Sequence, residues 1–117
     1  MRNFRNFEIW KNAVKLAKQI YLLTAKLPGN EKYGLCSQLQ RAAVSIPSNI
    51  AEGSARKSET DFARYLEMAL GSAFEVETQL IIAKDVNYIS ENTLQTIFVD
   101  LHKLQKQINQ LISRIRK

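Results

Sequence analysis

The sequence predicts an all-α protein, an antiparallel up-down-up-down four-helix bundle. Apolar residues recur at helical spacing through four segments, short turn signals separate those segments, and none of them reads as a strand. Short connections place successive helices antiparallel, which makes the up-down bundle the economical topology.

Helix 1 is expected to begin after Asn6, an N-cap residue type, and to stop at Pro28-Gly29, where proline ends the helix and glycine allows the turn. Its apolar positions are Trp10, Ala13, Val14, Ala17, Ile20 and Tyr21. Helix 2 runs from about Asn30 to near Gly53 and buries Leu35, Leu39, Ala42, Ala43, Ile46 and Ile50. Pro47 falls inside it, removing one backbone hydrogen bond and crowding the Ala43 carbonyl. A kink is expected there, a break into two shorter helices being the alternative. Helix 3 opens with Ser58-Glu59-Thr60-Asp61, in which the Ser58 hydroxyl satisfies a first-turn N–H and Asp61 favours the positive helix end. Phe62, Leu66, Ala69, Ala73, Val76, Leu80 and Ala83 then alternate by four and three, the seam of a left-handed bundle. Helix 4 follows Ser90 with Leu94, Ile97, Leu101, Leu104, Ile108, Leu111 and Ile115. A second apolar line on helix 3, made by Leu70, Phe74 and Ile81, reads either as an oligomer face or as the wide stripe of a helix with two neighbours.

The 117 residues suit one domain, 1–117, with 45% apolar and 24% charged residues and no bias toward disorder. The single cysteine, Cys36, excludes an internal disulfide and reads as a small buried apolar residue. No apolar run matches a signal peptide or a membrane span, so a cytoplasmic protein without a membrane partner is expected.

Enzyme chemistry finds no constellation. A di-iron bundle needs two Glu-x-x-His pairs, and the one histidine, His102, has Val99 three residues before it. The Arg-before-His pattern of helical nucleases is missing as well, since Ile97, Thr96 and Gln95 occupy the positions ahead of His102. Phosphate loops, nucleophile elbows and Cys–His pairs are also absent from the sequence. The reading is a non-enzyme with no metal and no cofactor.

Charge is more informative. The formal net charge is +6, but residues 1–26 carry +5, 27–57 carry +2, 58–85 carry −4 and 86–117 carry +3. On helix 1, Lys11, Lys15, Lys18 and Lys26 fall within about 80° of one another on the wheel. Lys103, Lys106, Arg114 and Lys117 do the same on helix 4. First and last helices adjoin in an up-down bundle, so the two stripes merge into one positive surface. Several cations placed near phosphates bind by counterion release without reading bases. Arg2 and Arg5, in an N-terminal arm, would add to that surface, while Phe4 and Phe7 are too few to form a stacking platform. A polar line on helix 2, Gln38, Arg41, Ser45, Ser48 and Glu52, faces one on helix 3, Ser72, Glu75 and Gln79. Arg41, Ser45, Glu75 and Gln79 are therefore expected to form a structural polar network, Arg41 meeting Glu75 across the helix pair or between subunits.

Tyr33-Gly34-Leu35, Ser37-Gln38-Leu39 and the run Arg41-Ala42-Ala43-Val44-Ser45-Ile46-Pro47-Ser48-Asn49-Ile50-Ala51-Glu52-Gly53 resemble the core motif of a bacterial family, the 23S ribosomal RNA intervening-sequence proteins. The resemblance begins at Phe4-Arg5 and Trp10-Lys11 and continues through Gly71-Ser72 and Glu75-Val76-Glu77-Thr78-Gln79-Leu80. It covers about three quarters of the chain, the fourth helix matching in pattern alone. It implies a four-helix bundle that assembles as a homopentameric ring and has no known catalytic activity. It also implies kinship with the accessory variability protein of diversity-generating retroelements, which binds nucleic acid and a reverse transcriptase. The family name records where some members are encoded, inside ribosomal RNA insertions, and does not itself demonstrate RNA binding. Two functions follow as expectations. The first is a homo-oligomer that binds RNA or DNA through Lys11, Lys15, Lys18, Lys103, Lys106 and Arg114 with little sequence preference. The alternative is a scaffold for a protein partner such as a polymerase or reverse transcriptase.

Overall fold

The computed structural model describes residues 2–117. Four helices follow in order: α1 (Glu8–Thr24), α2 (Leu35–Ser54), α3 (Glu59–Asp85) and α4 (Glu91–Ile115). Two single-turn 3-10 helices, Phe4–Asn6 and Gly29–Glu31, precede α1 and α2, and the described residues contain no strand. Each helix packs on its sequence neighbours and α1 closes the ring against α4, whereas among the described residues the diagonal pairs show no close backbone approach. This is the antiparallel up-down-up-down bundle, 43 × 23 × 20 Å.

The start signals of the two long helices form as the sequence predicts. Ser58 Oγ accepts the Asp61 N–H at 3.1 Å, and Ser90 Oγ accepts the Thr93 N–H at 3.0 Å. The start of α1 differs from expectation. Asn6 is held in the 3-10 turn by its N–H bond to the Asn3 carbonyl, so Phe7 becomes the N-cap without a side-chain hydrogen bond. The start of α2 moves from Asn30 to Leu35, because Gly34 leaves the helical region at φ −111°, ψ −109°. Glu31 replaces a conventional cap: its Oε1 accepts the Leu35 N–H at 3.2 Å. Helix α2 then runs unbroken through Pro47, which is buried.

The core is one cluster drawn from all four helices. All seven seam residues of α3 are buried, as are Leu39, Ala42, Ala43, Ile46, Ile50 and Cys36 of α2. Two stripes are rotated from expectation. On α1 the buried set is Ile9, Ala13, Leu16, Ala17, Ile20, Leu23 and Thr24, while Tyr21 is 49% exposed. On α4 the seam slides from Leu111 to Ile112, leaving Leu111 and Ile115 half-buried. A helix of 3.6 residues per turn drifts by about 20° per strict heptad, which accounts for the slide.

The ends are fastened by specific polar contacts. Past α3, Asn87 adopts φ 66° and closes a Schellman turn: the Tyr88 N–H bonds the Ala83 carbonyl and the Asn87 N–H bonds that of Lys84. The turn delivers Tyr88 to the opposite loop, where its hydroxyl donates to Glu31 Oε2 at 2.8 Å. That bond, followed by the one from Leu35, holds the Glu31 carboxyl below its ordinary pKa of 4.5. At the other end of the bundle, Arg116 forms a bidentate pair with Glu67, both contacts at 2.8 Å, which lowers the Glu67 pKa.

Helices α2 and α3 approach closely at Gly53. A Cβ there would lie 2.6 Å from Tyr65 Cβ and 3.1 Å from Phe62 Cδ1. Gly53→Ala should lower stability by about 1–3 kcal/mol in urea titration, despite alanine's better helix propensity. The Glu31–Tyr88 bond carries a pH signature. Glu31 is shifted down and Tyr88 up, so the bond contributes above the unfolded Glu value of 4.5 and below the unfolded Tyr value of 10.0. The stability advantage of the parent chain over Tyr88→Phe should therefore hold at neutral pH and shrink as pH falls through the depressed Glu31 pKa. Chemical denaturation at pH 7 and at pH 3 measures it.

Candidate nucleic-acid interface

Amphipathic geometry fixes where the basic residues stand. With Ile9, Ala13, Leu16 and Ile20 pointing inward, Lys11, Lys15 and Lys18 emerge on the opposite side of α1, all exposed. On α4, burial of Leu101, Leu104 and Ile108 does the same for Lys103, Lys106 and Arg114.

The seam between α1 and α4 brings the two stripes together. Asn12 Nδ2 donates to Gln107 Oε1 at 3.0 Å, and Gln19 Nε2 donates to Asp100 Oδ2 at 3.2 Å. Both bonds lie two turns apart on each helix and set an antiparallel register. Between them fall Lys15 and Lys18 on α1 and Lys103 and Lys106 on α4. Two turns of helix rise about 10 Å, close to the roughly 8 Å screening length of physiological salt. Along the bundle axis the four lysines therefore fall within about one screening length of one another.

Two acidic groups border this face. Glu8 stands 3.9 Å from Lys11, an exposed pair of small value. Asp100 is half-buried and its Oδ2 is occupied by Gln19. Among the described residues, Lys15, Lys18, Lys103, Lys106 and Arg114 stand in no ion pair. Arg114 lies beyond the clamped segment, beside a shallow hollow formed with Phe7, Glu8, Gln107 and Leu111.

Of the two arginines expected in an N-terminal arm, Arg2 is engaged elsewhere. Arg2 does not belong to a free arm. Its guanidinium bonds the carbonyls of Ser54 and Arg56 at 3.3 and 2.7 Å, pairs with Glu59 and lies 4.4 Å from the Phe62 ring. It fastens the α2–α3 turn. Arg5 is exposed and stacked on Phe4 at 4.5 Å.

The polar network expected from Arg41, Ser45, Glu75 and Gln79 does not close within one chain. Gln79, buried to 6% exposure, donates to Glu75 Oε2 at 3.3 Å, and its own Oε1 has no partner among the described residues. Arg41 makes no ion pair among those residues and lines an open polar groove on α2 with Tyr21, Ser45, Ser48 and Glu52. Arg41 is exposed on α2, and no ion pair joins it to Glu75 among the described residues.

His102 stacks on Phe98 at 4.7 Å between ring centroids and sits 3.2 Å from Glu77, which also accepts a bond from Gln105. It is a seam-edge residue. Among the described residues no three His, Cys, Asp or Glu side chains converge as metal ligands, and no helix is long and apolar enough to cross a membrane.

The sequence reading missed Asn12 and Gln19, which bring the basic stripes together. Their signal was their spacing: seven residues apart, on the edge of the α1 core stripe, matched by Asp100 and Gln107 seven apart on α4.

Fold and surface define a helical-bundle protein with a basic face on its first and last helices. Residues 5–110 match the 23S rRNA-intervening sequence protein family, and the chain belongs to that family. No curated protein matches the sequence. A solved structure from Bacteroides thetaiotaomicron, described as a protein of unknown function from the S23 ribosomal protein family, superposes with a TM-score of 0.83. It is 27% identical and covers 89% of this chain and 97% of its own.

Proposed function

We propose that this chain is a non-catalytic, self-associating bundle that binds nucleic acid through its α1/α4 face. The observation that carries this reading is the pair of hydrogen bonds, Asn12–Gln107 and Gln19–Asp100, that bracket Lys15, Lys18, Lys103 and Lys106 on one surface. A cluster of unpaired ammonium groups is repulsive in the free protein and is relieved when phosphates replace small counterions. Lysines on straight helices present point charges and no planar fork, so they suit backbone contact better than base reading. The family's name makes structured RNA the first probe, with duplex DNA beside it.

Binding of labelled structured RNA and duplex DNA across a salt series tests the reading. The parent chain should show affinity falling steeply with salt. The triple variant Lys15→Glu, Lys103→Glu, Lys106→Glu, unchanged in thermal unfolding, should lose most of its affinity and reduce the log–log salt slope by about 3, one for each cation removed. Asp100→Asn keeps an acceptor for Gln19 while removing the one carboxylate inside the clamp, and should bind tighter than the parent. Absence of binding at low salt would overturn the proposal in favour of a scaffold for a protein partner.

A further inference from the structure

Two apolar surfaces lie exposed, the first adjoining the α1 basic stripe at Lys18 and the second on α3. The first is a pit between α1 and α2, with Ala17 and Pro47 as its floor and Val14, Tyr21, Leu22 and Lys18 around it. Tyr21 is 49% exposed and Leu22 is 70% exposed. The second is the outer strip of α3. There Phe74 is 51% exposed, Ile82 48% and Ile81 39%, so these side chains are not spent on the chain's own core.

Gly71 lies one turn before Phe74 and Glu75 on that strip. It is exposed in the interior of a helix, and a Cβ built on it would meet nothing within 4 Å. A mid-helix glycine costs about 1 kcal/mol relative to alanine, and no contact within this chain requires one there. The missing side chain leaves room for a second backbone to pass close to the helix at this point.

Charge decides what that second backbone belongs to. Residues 58–85 carry −4, although Glu59, Glu67 and Asp85 are paired with Arg2, Arg116 and Lys84; beside the apolar strip Glu75 stands in no ion pair among the described residues and has Gln79 as its hydrogen-bond partner. The pit lies on the basic side, where residues 1–26 carry +5. Tyr21 borders both the pit and the neighbouring groove that holds Arg41 and Glu52; Lys18 and Arg41 flank it, neither of them in an ion pair among the described residues, and leave the surroundings of the pit net basic against Glu52 alone. Setting α3 against α3 of a second copy would oppose acid to acid. Setting the pit against another pit would oppose base to base. The strip against the pit matches apolar to apolar and acid to base.

We propose that the outer strip of α3 in one copy docks on the α1/α2 pit of the next, Phe74 entering beside Pro47 and the Glu75 carboxylate facing Arg41. This rests on the self-association in the reading above and not on nucleic-acid binding. The contact is head to tail, using two different faces, so an open assembly keeps one free face of each kind until a ring closes.

The test uses mass measurement in solution without nucleic acid, on the parent chain and on Phe74→Glu and Leu22→Glu, two surface substitutions whose helicity is checked by circular dichroism. The parent should be an assembly that dissociates on dilution. Phe74→Glu loses the strip and keeps the pit, and Leu22→Glu loses the pit and keeps the strip, so each alone should have the mass of one chain. An equal mixture should have the mass of two chains and no more, because a single good contact remains available. Gly71→Leu, which fills open space in the free chain, should also be reduced to one-chain mass. A parent that stays single at every concentration, a variant that assembles like the parent, or a mixture that does not pair would each overturn the proposal.

Discussion

The close approach of α2 and α3 is the constraint on which the bundle depends. Gly53 accepts the Tyr65 side chain where a methyl group would collide, and Ala42, Ala43, Ala69 and Ala73 are buried with exposures of 3% or less. Small residues draw the two backbones together and leave the larger ones, Leu39, Ile46, Ile50, Leu66 and Leu80, to fill the space toward α1 and α4. Each such side chain contributes on the order of 1.5–3 kcal/mol when buried. The geometry of α2 and α3 therefore sets where the outer helices rest and which of their faces remain in water. Arg2 supports the same unit from outside, holding the carbonyls at the end of α2 and lying on Phe62 at the start of α3.

The seam between α1 and α4 is built differently. These helices touch over a smaller extent than the other neighbours, and neutral or singly charged polar side chains cross between them. An apolar zipper would seal that seam but would say little about register, since many offsets bury similar area. Two hydrogen bonds with fixed partners select one offset. The selection matters because lysines on both helices must accept a shared potential whose repulsion grows as they align. Leu16, Ile20, Leu101 and Leu104 behind the seam supply the burial that tolerates it.

Periodicity made the helices legible in the sequence, and the parts that escaped it have physical causes. The α3 seam was readable residue by residue because alanines and larger residues alternate without interruption from Phe62 to Ala83. The α1 stripe was misjudged by part of a turn, since Tyr21 and Trp10 are large apolar residues that periodicity alone cannot distinguish from core. Their polar atoms and bulk suit the edge, and Leu16 and Leu23 hold the interior. The α2 start was misplaced because Glu31 caps it from four residues upstream, and the tertiary partner that fixes Glu31, Tyr88, is 57 residues away. The basic stripes could be counted from the sequence. Their register could not, because Asn12 and Gln19 resemble any other surface amides until α4 is set beside them. Arg2 was read as a free cation for the same reason: an arginine's role depends on which carbonyls the fold brings to it.

Segregated charge ties these levels together. A lone bundle gains no stability from placing its excess cations on α1 and α4 and its excess anions on α3, because interspersed signs would reduce repulsion on both sides. The chain keeps the separation, and it also keeps a helix-weakening glycine and an uncovered phenylalanine on the acidic side. Each feature alone is tolerable on a surface. Together they give the molecule two unlike poles, and a body with unlike poles is satisfied by contacts between different faces. Copies joined basic-apolar groove to acidic-apolar strip would cancel much of the opposite charge at each contact. Of the lysines between the α1–α4 clamps, Lys15, Lys103 and Lys106 do not line the α1/α2 pit and would retain their exposure, whereas Lys18 borders it. On the proposed reading, assembly and phosphate binding would draw on largely different parts of one charge pattern, and repeating the basic seam around an assembly would multiply weak backbone contacts without requiring any one of them to be strong.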